Sequence, residues 1–116
     1  MAEAFQIQET ASAGAAVFRI HGHLDAKSAP ELLARGKGVR KQGQGLVLNL
    51  SQVTFIASSG VGSILALAEE FTQNQLAFRL AEVPSAVMSV FQLLNLDNFL
   101  EIDDSEEEAV SRLEAA

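Results

Sequence analysis

The run Leu46-Val47-Leu48-Asn49-Leu50 constrains the fold of this chain more than any other feature. Because the run is almost continuously apolar, it predicts a strand that is covered on both faces, as in a parallel sheet flanked by helices. The apolar spacing then becomes that of one helix face, at Val61, Ile64, Leu65, Ala68 and Phe71. A buried strand followed by an amphipathic helix is the repeating unit of α/β domains.

Alternating apolar and polar residues predict the other strands. Residues 5–7 and 16–20 are expected to form two neighbouring strands, the second of which ends at Gly22. Residues 76–80 predict a further strand, and residues 99–102 a last short one. The sheet is therefore expected to be mixed and mostly parallel, with four to five strands.

Cap signals predict where the remaining helices begin. Ser28 and Glu31 have the spacing of a capping box, and Ser105 and Glu108 repeat it near the C-terminus. Pro84 is expected to open another helix. The predicted order is β-β-α-β-α-β-α-(β)-α with right-handed crossovers, which makes residues 1–116 a single α/β domain with about four helices.

Length, charge and composition exclude several classes of function. The chain has 116 residues, which suits one domain, and no cysteine, which excludes a disulfide framework or a cysteine zinc site. Its net charge is −7, and neither a basic excess nor Trp or Tyr is present, so no nucleic-acid partner is expected. No leader peptide and no apolar run of ~18 residues is visible, so we expect a soluble cytoplasmic protein without a membrane partner.

The segment T-F-I-A-S-S-G-V-G over residues 54–62 joins the buried strand to its helix. The carboxyl ends of parallel strands are where α/β sheets usually meet ligands and partners. Ser58 or Ser59 is expected to act as the helix N-cap. A hydrolase elbow is excluded because no glycine stands two residues before either serine. A nucleotide loop is disfavoured because Leu65 breaks the G-x-G-x-x-G pattern, yet a small ligand held by backbone N–H groups stays open.

Two other groups of residues have structural interpretations. His21, His23 and Asp25 alternate, so an extended strand would place them on one face, as a metal site requires. We instead expect a solvated strand end, without a metal or another cofactor. Phe55, just before the serines, is expected to belong to the core.

The motif V-L-N-L-S-Q-V-T-F-I-A-S-S-G-V-G over residues 47–62 closely resembles the signature of the STAS domain, in particular that of bacterial anti-sigma factor antagonists. The upstream G-H-L-D over residues 22–25 resembles the G-x-L-D element of the same family. The resemblance implies a non-enzymatic protein that binds an anti-sigma factor, itself a serine kinase, and displaces its sigma factor. It also implies that this kinase phosphorylates Ser58 and that a serine phosphatase resets the switch.

The resemblance implies a partner-binding set formed by Asp25, Ala57, Ser58, Ser59 and Gly60. Phosphorylated members of the family usually carry Asp where this chain has Ala57. The alternatives are therefore an unmodified STAS subunit or scaffold of a larger complex, such as a lipid-transport ATPase or a stress-sensing assembly, or a STAS domain that binds a small ligand or nucleotide.

Overall fold

The computed structural model describes residues 4–12 and 14–115, in which strands and helices alternate in the predicted order. The strands are β1 (Gln6–Ser12), β2 (Ala15–Leu24), β3 (Gly45–Ile56), β4 (Phe78–Ala81) and β5 (Ile102–Asp103). The helices are α1 (Ala29–Lys41), α2 (Ser58–Gln73), α3 (Ser85–Leu93) and α4 (Glu106–Ala115), and a short 3-10 helix spans Leu96–Asn98.

The five strands form one sheet in the order β1-β2-β3-β4-β5. β1 and β2 are neighbours, as predicted, and pair antiparallel, whereas all other pairs are parallel. The mixed, mostly parallel α/β sheet predicted from the sequence is therefore confirmed. The parallel arrangement brings the carboxyl ends of β2, β3 and β4 to one edge of the sheet.

β3 is buried on both faces, as its apolar run predicts. Leu46, Leu48 and Leu50 are fully buried in the main core, to which α1, α2 and α3 contribute. Val47 points to the opposite face, where it packs against Ala109 and Leu113 of α4 in a smaller cluster. The sheet is thus a middle layer, with three helices on one face and α4 on the other.

Ion pairs and hydrogen bonds fix the acidic helix α4 to the sheet. Arg19 of β2 donates two hydrogen bonds to the Glu106 carboxylate, at 2.9 and 2.7 Å, and the Asn49 side-chain amide donates a third at 2.9 Å. The hydrogen bond from Arg19 lowers the pKa of Glu106 against the opposing effect of burial. Asp103, whose side chain is fully buried, pairs with Arg79 and with Arg112 of α4. The acidic C-terminal segment is therefore partly structural.

Several element boundaries differ from the sequence prediction. β2 continues through Gly22, which adopts φ +90°, and ends at Leu24. The last strand is Ile102–Asp103 rather than residues 99–102, and it pairs with the end of β4. The hydrogen bond from Glu108 N–H to the Ser105 hydroxyl, at 3.1 Å, confirms the predicted cap of α4.

The predicted capping box at the start of α1 is wrong. Ser28 is the N-cap residue, but its backbone is helical and its side chain accepts no hydrogen bond from the helix. The Ser28 hydroxyl instead donates to the His23 carbonyl at 2.7 Å and accepts from Asp25 N–H at 2.9 Å. The hydroxyl is committed to the turn that precedes the helix.

Over the residues that the structure describes, no helix is both long enough and apolar enough to cross a membrane.

Candidate functional site

The predicted serine motif lies at the edge of the sheet where β3 ends and α2 begins. Ala57 N–H donates to the Leu24 carbonyl at 2.9 Å, which ties the loop to the end of β2. Ala57 has an extended backbone (φ −98°, ψ 171°) and is the N-cap residue of α2. Ser58 is the first residue of the helix, and it is exposed. The expectation that Ser58 or Ser59 caps the helix is wrong, because the helix already begins at Ser58.

Gly60 sets how closely α2 approaches the sheet. A Cβ atom on Gly60 would lie 2.3 Å from the Leu24 carbonyl oxygen and 3.0 Å from Cγ1 of Ile56. Only glycine allows the backbone of α2 to pack this closely against the ends of β2 and β3. The same Leu24 carbonyl accepts the Ala57 hydrogen bond, so one backbone group positions both residues that flank the serines.

The neighbouring serines differ in their surroundings. Ser59 is partly buried and borders an open apolar groove of about 320 Å³ between α1 and α2. Ser63, one turn further, is buried, and its hydroxyl donates to the Gly60 carbonyl at 2.7 Å. Ser58 is therefore the exposed serine of this segment.

Asp25 lies at the same edge, directly after Leu24, and its carboxylate organises a tight turn. The carboxylate accepts hydrogen bonds from Lys27 N–H at 3.0 Å and from Ser28 N–H at 3.3 Å. Partial burial raises the pKa of Asp25, but these hydrogen bonds outweigh it, so the pKa lies below its usual value. The backbone hydrogen bond from Ala57 N–H to the Leu24 carbonyl brings the Asp25 turn beside the Ser58 loop. Sequence reasoning missed Ser28 as the second half of this turn, because its spacing to Glu31 suggested a cap instead.

The prediction that Phe55 belongs to the core is wrong. Phe55 is 50% exposed, and its ring packs edge-to-face against His23, with ring centroids 5.5 Å apart. Its neighbour Ile56 packs against the main core instead. Side chains alternate between the two faces of a strand, so an inward Ile56 implies that Phe55 points to the other face.

His21 and His23 share the less buried face of β2, because Gly22 and Leu24 are buried, but these residues and Asp25 are not gathered into a metal site. The pairing of β2 with β3 shifts in register between Arg19 and His21 and again between Gly22 and His23. The Asp25 carboxylate is occupied by backbone N–H groups of its own turn. Within residues 4–12 and 14–115, no three side chains of the metal-binding types converge on one point.

The site therefore presents an exposed hydroxyl on a fixed support. The first intrahelical hydrogen bond of α2 runs from Val61 N–H to the Ala57 carbonyl. The N–H groups of Ser58, Ser59 and Gly60 precede it and have no partner within the helix. An exposed serine beside free N–H groups and the positive end of a helix dipole suits an acceptor that another protein modifies or binds.

Comparison with known families identifies one match, which spans most of the chain. The family model of the STAS domain matches residues 5–109.

Solved structures include proteins with the same fold. The unphosphorylated form of the anti-sigma factor antagonist SpoIIAA is 26% identical, with a TM-score of 0.75, over 97% of this chain and 100% of that one. The phosphorylated form of Bacillus SpoIIAA is 27% identical, with a TM-score of 0.72, over 94% and 98%.

Two more distant proteins share the fold alone. An anti-sigma factor antagonist from Mycobacterium paratuberculosis is 20% identical, with a TM-score of 0.85, over 96% of this chain and 95% of that one. A sulfate transporter family protein from Wolinella succinogenes is 14% identical, with a TM-score of 0.79, over 91% and 89%. The fold thus occurs both in an anti-sigma factor antagonist and in a sulfate transporter family protein.

Proposed function

Because the chain belongs to the STAS domain family, we propose that it is an anti-sigma factor antagonist whose activity ends when a partner kinase phosphorylates Ser58. The observation that carries this proposal is the exposed position of Ser58 as the first residue of α2. The similarity to SpoIIAA, which is known in an unphosphorylated and a phosphorylated form, supports it. In this proposal the chain binds an anti-sigma factor that is also a serine kinase, and a serine phosphatase restores the unmodified form.

A phosphate on Ser58 is compatible with the fold. It would add about −1.5 to −2 charges next to the free N–H groups at the start of α2. Negative charge at such a position is typically stabilised by about 0.3–1 kcal/mol. The charge would weaken partner binding rather than the fold, because a partner surface packed over Ser58 would have to desolvate the phosphate. A loss of about 1.4 kcal/mol already weakens binding tenfold.

Ala57 is compatible with this mechanism. An Asp at this N-cap position would place a carboxylate beside the phosphate and would compete for the same N–H groups. Ala57 has no such group, so the first-turn N–H groups stay available for the phosphate. The departure from the usual family pattern thus changes how the loop is stabilised, while the hydroxyl acceptor remains.

The proposed contact surface consists of Asp25, Ala57, Ser58, Ser59 and Gly60. Asp25 contributes its turn, Ala57 and Gly60 fix the loop to Leu24, and Ser58 carries the modification. In this proposal the chain performs no chemistry itself, because the kinase transfers the phosphoryl group from ATP. The switch would operate in the cytoplasm, where ATP is available.

The test is a phosphorylation assay with a kinase-type anti-sigma factor from the organism that encodes this chain. Incubation with ATP should add one phosphate by intact mass, and peptide mapping should place it on Ser58. Ser58→Ala should abolish the addition, whereas the matched variant Ser59→Ala should retain it. Phosphate on another residue, or an unchanged mass, would contradict the proposal.

A second candidate is an unmodified STAS subunit of a larger assembly, and the absence of Asp at position 57 favours it. In that case the same loop would dock a partner with no kinase involved. This function predicts that the chain co-purifies stably with a partner, that ATP does not release it, and that no phosphate is found on Ser58.

A further inference from the structure

In the part of the chain that the structure describes, one end of the sheet has no helix on the face that α4 covers. α4 reaches only as far as Arg19 and Asn49, through Glu106. Beyond that level, β2 and β3 continue with the register pairs His21–Gln52 and His23–Phe55. All four of these side chains are partly or largely exposed. We call these four residues the open end of the sheet.

The open end adjoins the proposed switch. Phe55 precedes Ser58 by three residues, and the pair His23–Phe55 is followed directly by Leu24 and Ile56, whose strands end at the Ser58 loop. A partner that reaches the hydroxyl of Ser58 therefore stands next to the ring of Phe55. An interface of ordinary size covers about 800 Å² on each protein, which is far more than the start of one helix offers. The contact must extend beyond the loop.

Phe55 differs in position from the other exposed large hydrophobic residues. In the described part of the chain these are Phe55, Leu93, Leu94 and Phe99. Leu93 and Leu94 lie at the C-terminal end of α3, which runs back from the carboxyl edge of the sheet. Phe99 lines a surface pocket together with Leu76 and Ala77, which precede β4. These three lie toward the opposite edge. Phe55 alone of the four lies beside Ser58.

One side of the Phe55 ring is packed against a neighbour within the chain. His23 packs edge-to-face against it, at 5.5 Å between centroids and 62° between ring planes. Phe55 as a whole remains 50% exposed to solvent. An aromatic side chain has few rotatable bonds and so loses little conformational entropy on binding, and aromatic residues are enriched at protein interfaces.

We propose that Phe55 is the hydrophobic anchor of the partner interface and inserts into an apolar pocket of the kinase-type anti-sigma factor, while His23 supports the ring. This inference rests on the function proposed above and extends the contact surface from the serine loop onto the open end of the sheet. In this inference Phe55 contributes to binding the kinase, whereas Ser58 accepts the phosphoryl group that the kinase transfers.

The test compares Phe55→Ala with Phe99→Ala, a matched control in which an even more exposed phenylalanine is removed at the far edge. Binding of the full chain to the kinase-type anti-sigma factor is measured by titration calorimetry, and phosphorylation of Ser58 by steady-state kinetics. Phe55→Ala should weaken Kd at least tenfold and raise KM for the chain, with kcat nearly unchanged, because an anchor contributes equally before and during transfer. Phe99→Ala should change Kd less than twofold.

The outcomes separate this inference from the proposed function. If the unaltered chain neither binds nor is phosphorylated, the proposed function fails and the inference falls with it. If the unaltered chain is phosphorylated on Ser58 and Phe55→Ala binds equally well, the inference alone is overturned. Loss of self-association in Phe55→Ala, with unchanged kinase binding, would also overturn it, because the anchor would then serve a second copy of the chain. Equal thermal unfolding of both variants excludes misfolding as the cause.

Discussion

Gly60→Ala tests how the Ser58 loop is positioned. The added Cβ would lie 2.3 Å from the Leu24 carbonyl oxygen, whereas Cβ atoms essentially never approach other heavy atoms closer than 3.0 Å. The obstructing atom belongs to the backbone of β2, and it also accepts the hydrogen bond from Ala57. The start of α2 must therefore move away from the sheet, and the exposed hydroxyl of Ser58 moves with it.

The size of the effect follows from two opposing contributions. Forcing an extra carbon into a packed site typically costs about 1–3 kcal/mol. Replacing glycine by alanine inside a helix returns up to about 1 kcal/mol. We expect a net loss of about 1–2 kcal/mol, which corresponds to a fall of roughly 5–10 °C in Tm for a domain of this size. Phosphorylation of Ser58 should slow as well, because the acceptor is displaced.

The matched control is Gly62→Ala in the same helix. A Cβ on Gly62 meets nothing within 4 Å, so this substitution keeps only the helix benefit and should raise stability by about 0.5–1 kcal/mol. Thermal unfolding of both variants gives the comparison. A Gly60→Ala protein as stable as the unaltered chain would refute the argument that Gly60 is required by contact with Leu24.

Three further predictions concern the parts that support the site. The pKa of Glu106 is lowered in the folded chain, so its ion pair stabilises the fold fully above the ordinary pKa of 4.5. This stabilisation is lost as the pH falls through the lower folded-state pKa. The free energy of unfolding of Glu106→Gln, measured in urea, should therefore depend less on pH between about 3 and 6 than that of the unaltered chain. Asp25→Ala should lower Tm and slow phosphorylation because the turn loses its acceptor, whereas Asp25→Asn should stay near the unaltered chain in both measurements. Gly36→Ala should destabilise by about 0.5–2 kcal/mol in urea titrations, because its Cβ would lie 2.6 Å from the buried Leu67 side chain and the helix gain offsets part of that cost. Gly38→Ala, whose Cβ would meet nothing within 4 Å, should not destabilise the chain.

The order of elements was predictable because it depends on local periodicity. The apolar run of residues 46–50 and the helical spacing from Val61 to Phe71 each specify their own structure. The carboxyl edge then follows from parallel pairing, which is why the position of Ser58 between β3 and α2 could be predicted from the sequence.

The errors concern residues whose roles depend on contacts distant in the chain or on competition between neighbours. Ser28 occupies the N-cap position, but its hydroxyl bonds to His23 and Asp25, and its backbone is helical rather than extended, so its side chain does not cap the helix. Phe55 is large and apolar and is therefore expected in the core, yet α4 does not extend far enough to cover it. The length of a covering helix and the use of one hydroxyl are decided by tertiary structure, which local patterns do not contain.

The most direct test of the central claim measures how phosphorylation changes partner binding. The chain is phosphorylated by the kinase-type anti-sigma factor and purified in both forms. Each form is then titrated against that partner, with Ser58→Ala as the unmodifiable reference. We predict that the phosphorylated form binds at least tenfold more weakly than the other two, while its thermal unfolding stays cooperative. Equal affinities for the phosphorylated and unphosphorylated forms would contradict the claim that Ser58 controls the interface.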